Sequence, residues 1–344
     1  MSAAIEMPKT DNDPVFYDVE LPLHGAYYPL GFTVEIATNS KQVLLAADES
    51  WGHFRKVSAE PPVQLRVAVL DGSSEKCVEP PTTRGQRNLL LSVANAENFC
   101  VSDMERGLGS CWVTPAVVAE RGYFRYYFLE TATWGLLTPL YLTPLHAACV
   151  RKGNRGVLLC GDSGAGKSSL AYACARKGWM LLSDDSACLI RKSCSPVVVG
   201  NPFQIRFRDS AAKLFPELHD RKITRRIEGK LSIEVPTADL PGIRTIYDSS
   251  VDHVVFLKRG QPGAPRLTQF PRERALPWFE QVICYGEEPV REAQRASLRN
   301  LLSAEILELH YDDLDSAVAI LEDMVGREPA PSAPSTHSRQ RIHA

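Results

Sequence analysis

Nine cysteines are spread through this 344-residue chain, yet no two stand in a Cys-x-x-Cys pair. Zinc knuckles and dithiol redox sites rely on that spacing, so neither chemistry is indicated. An odd count without framework spacing fits free thiols in a reducing cytoplasm better than disulfides. An excess of charge is missing too: 39 Lys and Arg against 41 Asp and Glu leave a net charge of −2. A balance so near zero argues against a nucleic-acid binder and against attraction to an anionic membrane. Long hydrophobic runs are absent as well. The most apolar stretch, residues 134–150, is broken by Pro139, Pro144 and His146. It falls short of the about 18 uninterrupted apolar residues that a spanning helix needs. It reads as buried strands joined by a turn, and no membrane insertion is expected. The polar, acidic first 13 residues show no charged-then-apolar secretion pattern, which also points to the cytoplasm. No internal repeat is found.

What the chain does have is material for a core, at 44% hydrophobic and 23% charged residues. Its length suggests two domains or one large one. Residues 1–14 and the Pro/Ser-rich stretch 327–344 read as disordered. Residues 15–143 read as a strand-rich α+β domain, with strands near 31–36 and 63–70 and a helix within 39–55. This part has no catalytic motif, and a recognition role falls to it by elimination only. From residue 144 the pattern changes. A continuous apolar run at 156–160 ends on Gly161 and reads as a buried strand. A helix over 168–177 stops at Gly178, and a second apolar strand over 179–183 follows. Strand, helix and strand in that order predict a parallel α/β arrangement with right-handed crossovers over 144–326. Further strands are expected at 251–257 and 306–311, and helices at 289–304 and 314–325.

Between the first strand and its helix stand Gly161, Asp162, Ser163, Gly164, Ala165, Gly166, Lys167 and Ser168, with Ser169 next. This matches the phosphate-loop pattern G-x-x-x-x-G-K-[ST] in full and in the right context. Glycines let the backbone wrap so that its N–H groups point inward, and the helix N-terminus adds positive potential. Lys167 can then reach the β- and γ-phosphates of ATP, and the Ser168 hydroxyl can ligate Mg²⁺. A chance Gly-rich turn is the bland reading, and the flanking strand and helix disfavour it.

Asp184 and Asp185 follow Lys167 by 17 and 18 residues, at the carboxyl end of the next expected strand. Ligands gather at such ends in open α/β sheets. Neighbouring strand residues point to opposite faces, so the two carboxylates converge only where strand gives way to loop. One can hold Mg²⁺ while the other takes a proton from an acceptor hydroxyl. The provisional order is Asp184 as base and Asp185 as metal partner; an N-cap or an exposed turn is the alternative. His146 lies 21 residues before Lys167. Alone, it reads as a hydrogen-bonded core histidine as readily as a catalytic one.

Together, His146, the loop GDSGAGKS, the helix end Arg176-Lys177-Gly178 and the segment Leu181-Leu-Ser-Asp-Asp resemble the HPr kinase/phosphorylase family. The resemblance covers residues 144–192 clearly and the C-terminal half loosely. It implies an α/β phosphate-loop kinase core related to phosphoenolpyruvate carboxykinase, preceded here by the strand-rich α+β domain. It also implies serine phosphorylation with ATP and Mg²⁺. It lends catalytic roles to His146, Lys167 and Asp184, nucleotide contacts to the loop, and metal contacts to Ser168 and Asp185. Two departures stand out. Ser169 occupies the place of the family's glutamate, and Gly200-Asn-Pro-Phe-Gln-Ile-Arg-Phe-Arg replaces its Glu-x-Arg-Gly-Leu-Gly signature. A divergent member is expected, acting on a serine of another protein or peptide; a homo-oligomer is left open.

The basic segment 219–230 adds a candidate phosphate contact in Lys230, where loop passes to strand, although most charge runs are solvated surface. Arg206 and Arg208 alternate with Ile205 and Phe207, so they share one strand face; their role is open. Two other classes compete with the kinase. For a regulatory ATPase or GTPase switch, a GTPase lacks its Asn-Lys-x-Asp motif here, a transporter ATPase its Leu-Ser-Gly-Gly-Gln signature, and the second strand ends in Ser-Asp-Asp without the usual hydrolytic glutamate. A small-molecule or carboxykinase-like phosphotransferase is not excluded.

Overall fold

The computed structural model describes residues 19–225, 231–260, 264–283 and 286–327. The ends expected to be disordered lie outside these residues, except for Arg327. Lys230 also lies outside them. The architecture is mixed α/β, with three sheets among the described residues.

The first sheet has seven strands, and its middle is parallel: Val34–Thr38 pairs with Val63–Val69, which pairs with Leu108–Val113. Alternation explains which face is covered. Val34 and Ile36 are fully buried, as are Val63, Leu65 and Val67, while Glu35 is exposed between its neighbours. A parallel pair needs a crossover, and the helix Lys41–Trp51 provides it, burying Val43, Ala46, Ala47 and Trp51. The helix expected within 39–55 and the strands near 31–36 and 63–70 are thus present with shifted ends.

The second sheet has ten strands and is organised around the long strand Leu142–Lys152. Its first part, residues 142–146, pairs antiparallel with Ser186–Ile190, and residues 147–152 pair on the other side with Arg155–Cys160. Arg155–Cys160 in turn pairs parallel with His253–Arg259, and that strand pairs parallel with Glu305–Tyr311. The helix Lys167–Arg176 lies over this sheet and buries Leu170, Tyr172 and Cys174 against Val157, Leu159, Trp179 and Leu309. The helix Leu314–Gly326 packs on the same core, started by an N-cap in which Asp313 accepts the Ser316 N–H at 2.8 Å.

Two sequence readings need correction. Residues 134–140 are not strand but the later part of the helix Thr131–Leu140. Pro139 stands in its last turn, where the missing N–H costs one bond and little helix remains to be broken. Pro144 is nevertheless inside a strand, because the ladders place partners for residues 142–146 on one side only. The second correction concerns sheet order. Met180–Ser183 is not the ladder neighbour of Arg155–Cys160; it pairs antiparallel with Leu142–Lys152, which lies between them. The strand after the helix does run in the expected direction, but the sheet is mixed. A long strand preceding the loop took the place that a simple crossover would have filled.

Candidate functional site

The strand Arg155–Cys160 delivers the chain into the glycine loop. Gly161, Gly164 and Gly166 have φ of 147°, 97° and 97°. At Gly166 this left-handed backbone is reinforced by crowding, since a Cβ there would sit 2.5 Å from the Tyr311 hydroxyl. That hydroxyl donates to the Ala165 carbonyl at 3.0 Å, so the end of a neighbouring strand pins the loop from below. Asp162 and Ser163 are exposed, and Lys167 opens the helix as its first residue.

Lys167 is buried, and its Nζ donates to the Gly161 carbonyl at 2.8 Å. The same nitrogen lies 3.0 Å from His146 Nε2. Burial pulls the ammonium below its ordinary pKa, opposed chiefly by Asp185 nearby. His146 Nδ1 in turn lies 3.4 Å from Asp185 Oδ1, both side chains being about two-fifths exposed at 42% and 41%. The three candidates are therefore drawn into one chain of contacts. Register explains it: His146 stands opposite Ser186, one residue after Asp185.

The aspartate pair sits where Met180–Ser183 ends and Ser186–Ile190 begins, both strands pairing with the same long strand; the one irregularity, between Leu181 and Ser183, precedes the pair. The two neighbouring carboxylates face different environments. Asp185 lines the cleft. Asp184 is buried, and its Oδ2 accepts the Arg206 N–H at 2.7 Å. Burial pushes its carboxyl up to about 6, against the lowering effect of that N–H. The Asp184 carbonyl meets the Ser168 hydroxyl at 3.3 Å.

The cleft above these groups encloses about 760 Å³. Ser163, Gly164, Gly166, Ser168 and Ser169 border it on the loop side. Arg206 and Arg208 both line the cleft while Ile205 and Phe207 are buried, but only Arg206 is on the strand Gln204–Phe207; Arg208 directly follows it. Arg208 Nη2 donates to Ser163 Oγ at 2.8 Å, and Arg206 Nε approaches Glu234 at 3.5 Å. Lys213 and Arg259 complete the cationic wall. Sequence reading missed Arg259, Lys213 and Tyr311. Arg259 ends a strand at its carboxyl end, the one signal that would have singled it out. Helix N-terminus, left-handed glycine backbone and converging cations form a surface that attracts anions, with carboxylates at its floor.

No protein-family model matches the chain, and no curated protein matches it. Among the solved structures that do match is the HPr(Ser) kinase/phosphatase from Coxiella burnetii, at 12% identity and a TM-score of 0.30. The match covers 53% of this chain and 97% of that one. A likeness of that size places the chain in no family and assigns no residue a role.

Proposed function

We propose that this chain is an ATP- and Mg²⁺-dependent phosphotransferase that phosphorylates a hydroxyl group, the serine of a protein or peptide. The observation behind this reading is the contact chain from Lys167 through His146 to Asp185 at the mouth of the glycine loop. In this reading the N–H groups of the loop and Lys167 hold the β- and γ-phosphates of ATP. The oxygen donors Ser168 and the aspartate pair suit a hard cation. Among the described residues no group of three or more His, Cys, Asp or Glu forms a metal cage. Magnesium takes one or two carboxylates and completes its shell with water and substrate phosphates. When bound, the ion neutralises charge on the β- and γ-oxygens.

The exposures support the reverse of the order read from sequence. Asp185 faces the cleft, so it meets the acceptor hydroxyl and takes its proton, with His146 holding the carboxylate in place. Asp184 lies beneath, beside Ser168, and serves the metal side through water.

The test is Mg·ATP affinity by calorimetry beside transfer of labelled phosphate to candidate acceptors. Asp185→Asn should still bind Mg·ATP but lose transfer by roughly 10²–10⁴-fold, the usual size of general-base catalysis. Asp184→Asn should weaken Mg²⁺-dependent binding itself. If both variants bind and transfer like the parent, the pair is structural and the kinase reading fails. If label appears only as free phosphate with every acceptor, the regulatory ATPase reading replaces it.

A further inference from the structure

Resting on that reading of the cleft, we propose that Arg208 and Arg259 form a clamp supplied within the chain for the phosphoryl group in transfer. The two arginines approach the glycine loop at different glycines. A side chain added at Gly164 would meet the Arg208 guanidinium at 3.3 Å, and one added at Gly166 would meet the Arg259 stem at 3.7 Å. They come from separate sheets. Arg208 directly follows the strand Gln204–Phe207, and Arg259 ends His253–Arg259. Arg259 is thus held by its ladder with Tyr311, and Arg208 sits one residue past the end of a ladder, between strand and 3-10 turn.

Their charges are not consumed locally. Among the described residues neither guanidinium forms an ion pair, whereas Arg206 beside them meets Glu234. Arg208 spends one nitrogen on the neutral Ser163 hydroxyl, which aims it at the loop and leaves its other donors to a ligand. Both side chains are exposed to the cleft, so neither is needed to fill the core.

The chemistry calls for such a pair. As the acceptor oxygen bonds to the γ-phosphorus, the bond from that phosphorus to the β-bridging oxygen breaks. ADP leaves with the electron pair, and the hydroxyl proton passes to Asp185. Charge spreads over the three equatorial oxygens in between, and planar guanidinium groups suit them. Lys167 and the loop N–H groups face the ground-state phosphates as well, so they do not by themselves distinguish the transition state.

The experiment compares Arg208→Ala, Arg208→Lys, Arg259→Ala and Arg259→Lys with the parent, measuring Mg·ATP affinity by calorimetry and single-turnover transfer. Each alanine variant should lose roughly 10²–10³-fold in transfer rate while affinity changes by less than about 3-fold, as for loss of a transition-state donor. Added guanidinium should restore part of the rate to the alanine variants. Lysine should restore less than the parent arginine, since it lacks the planar fork. Loss of affinity with an unchanged rate, or no change in either, overturns the clamp while the kinase reading stands. A parent protein that binds no nucleotide overturns both.

Discussion

Lys167 is a cation held where burial disfavours charge. Its ammonium is stabilised by the Gly161 carbonyl and the His146 ring, and desolvation still lowers its pKa. In the reading proposed above, such a residue serves the nucleotide more than the fold. Lys167→Ala should keep the parent's circular dichroism and melting behaviour without nucleotide, yet lose ATP use by at least about 10²-fold. ATP turnover at the parent rate would remove the active-site assignment. His253 makes a separate prediction about pH. It is buried at the start of its strand, 3.1 Å from Glu305, with Asp252 and Arg155 also near. Desolvation and Arg155 lower its pKa, Glu305 and Asp252 raise it, and the net shift is downward. The folded state therefore binds this proton less readily than the unfolded state. Its stabilising share is complete above the ordinary value of 6.5 and is lost as pH falls through the lower folded value. In urea titrations, His253→Gln should flatten the decline of stability below pH 6.5; an unchanged slope would assign the decline to other groups.

The element that decides the site is the loop with its two supports, the helix behind it and the strand Glu305–Tyr311 beneath it. Tyr311 is fully buried, its hydroxyl pKa is pushed up to about 12, and that hydroxyl donates to the loop. Tyr311→Phe should therefore cost about 1 kcal/mol of stability, read from chemical denaturation, together with a weaker Mg·ATP affinity. Full affinity in that variant would mean that the glycines hold the loop unaided. Gly166→Ala should do more damage, because it combines a φ of 97° with a 2.5 Å approach to the same hydroxyl. In the double variant Gly166→Ala/Tyr311→Phe the steric part should be relieved and the backbone part retained. Measured as a cycle, the two substitutions should be non-additive.

Across the whole molecule, one of the apolar cores spans the boundary at residue 143/144 that the sequence suggested, while two lie wholly beyond it. Phe32, Leu65, Phe128 and Leu136 of the N-terminal part share one buried cluster with Cys188 and Val199 of the second sheet. Thr143 also meets Ser297 at 2.7 Å inside the protein. Cutting there would expose apolar surface at about 25 cal/mol per Å². A fragment of residues 144–327 should accordingly aggregate or melt well below the full chain, and the full chain should unfold in one transition by both circular dichroism and tryptophan fluorescence. Two separated transitions, with a soluble and folded fragment, would establish an independent C-terminal unit.

The local elements were legible because each follows from nearby residues. The run 156–160, the glycine spacing and the stop at Gly178 determine a strand, a turn and a helix without reference to the rest of the chain. The meeting of His146 with Lys167 was suggested only by family resemblance, and the environments of the aspartates were not legible at all. Asp184 and Asp185 are adjacent and chemically identical; what separates them is that one is buried against the Arg206 N–H and the other lines the cleft. Arg259 and Tyr311 reach the loop from strands some 90 to 150 residues further on in the sequence. Residue type and spacing determined which chemical groups this protein has to offer. Long-range strand pairing, which no local pattern encodes, decided which of them face the cleft and which are buried beneath it.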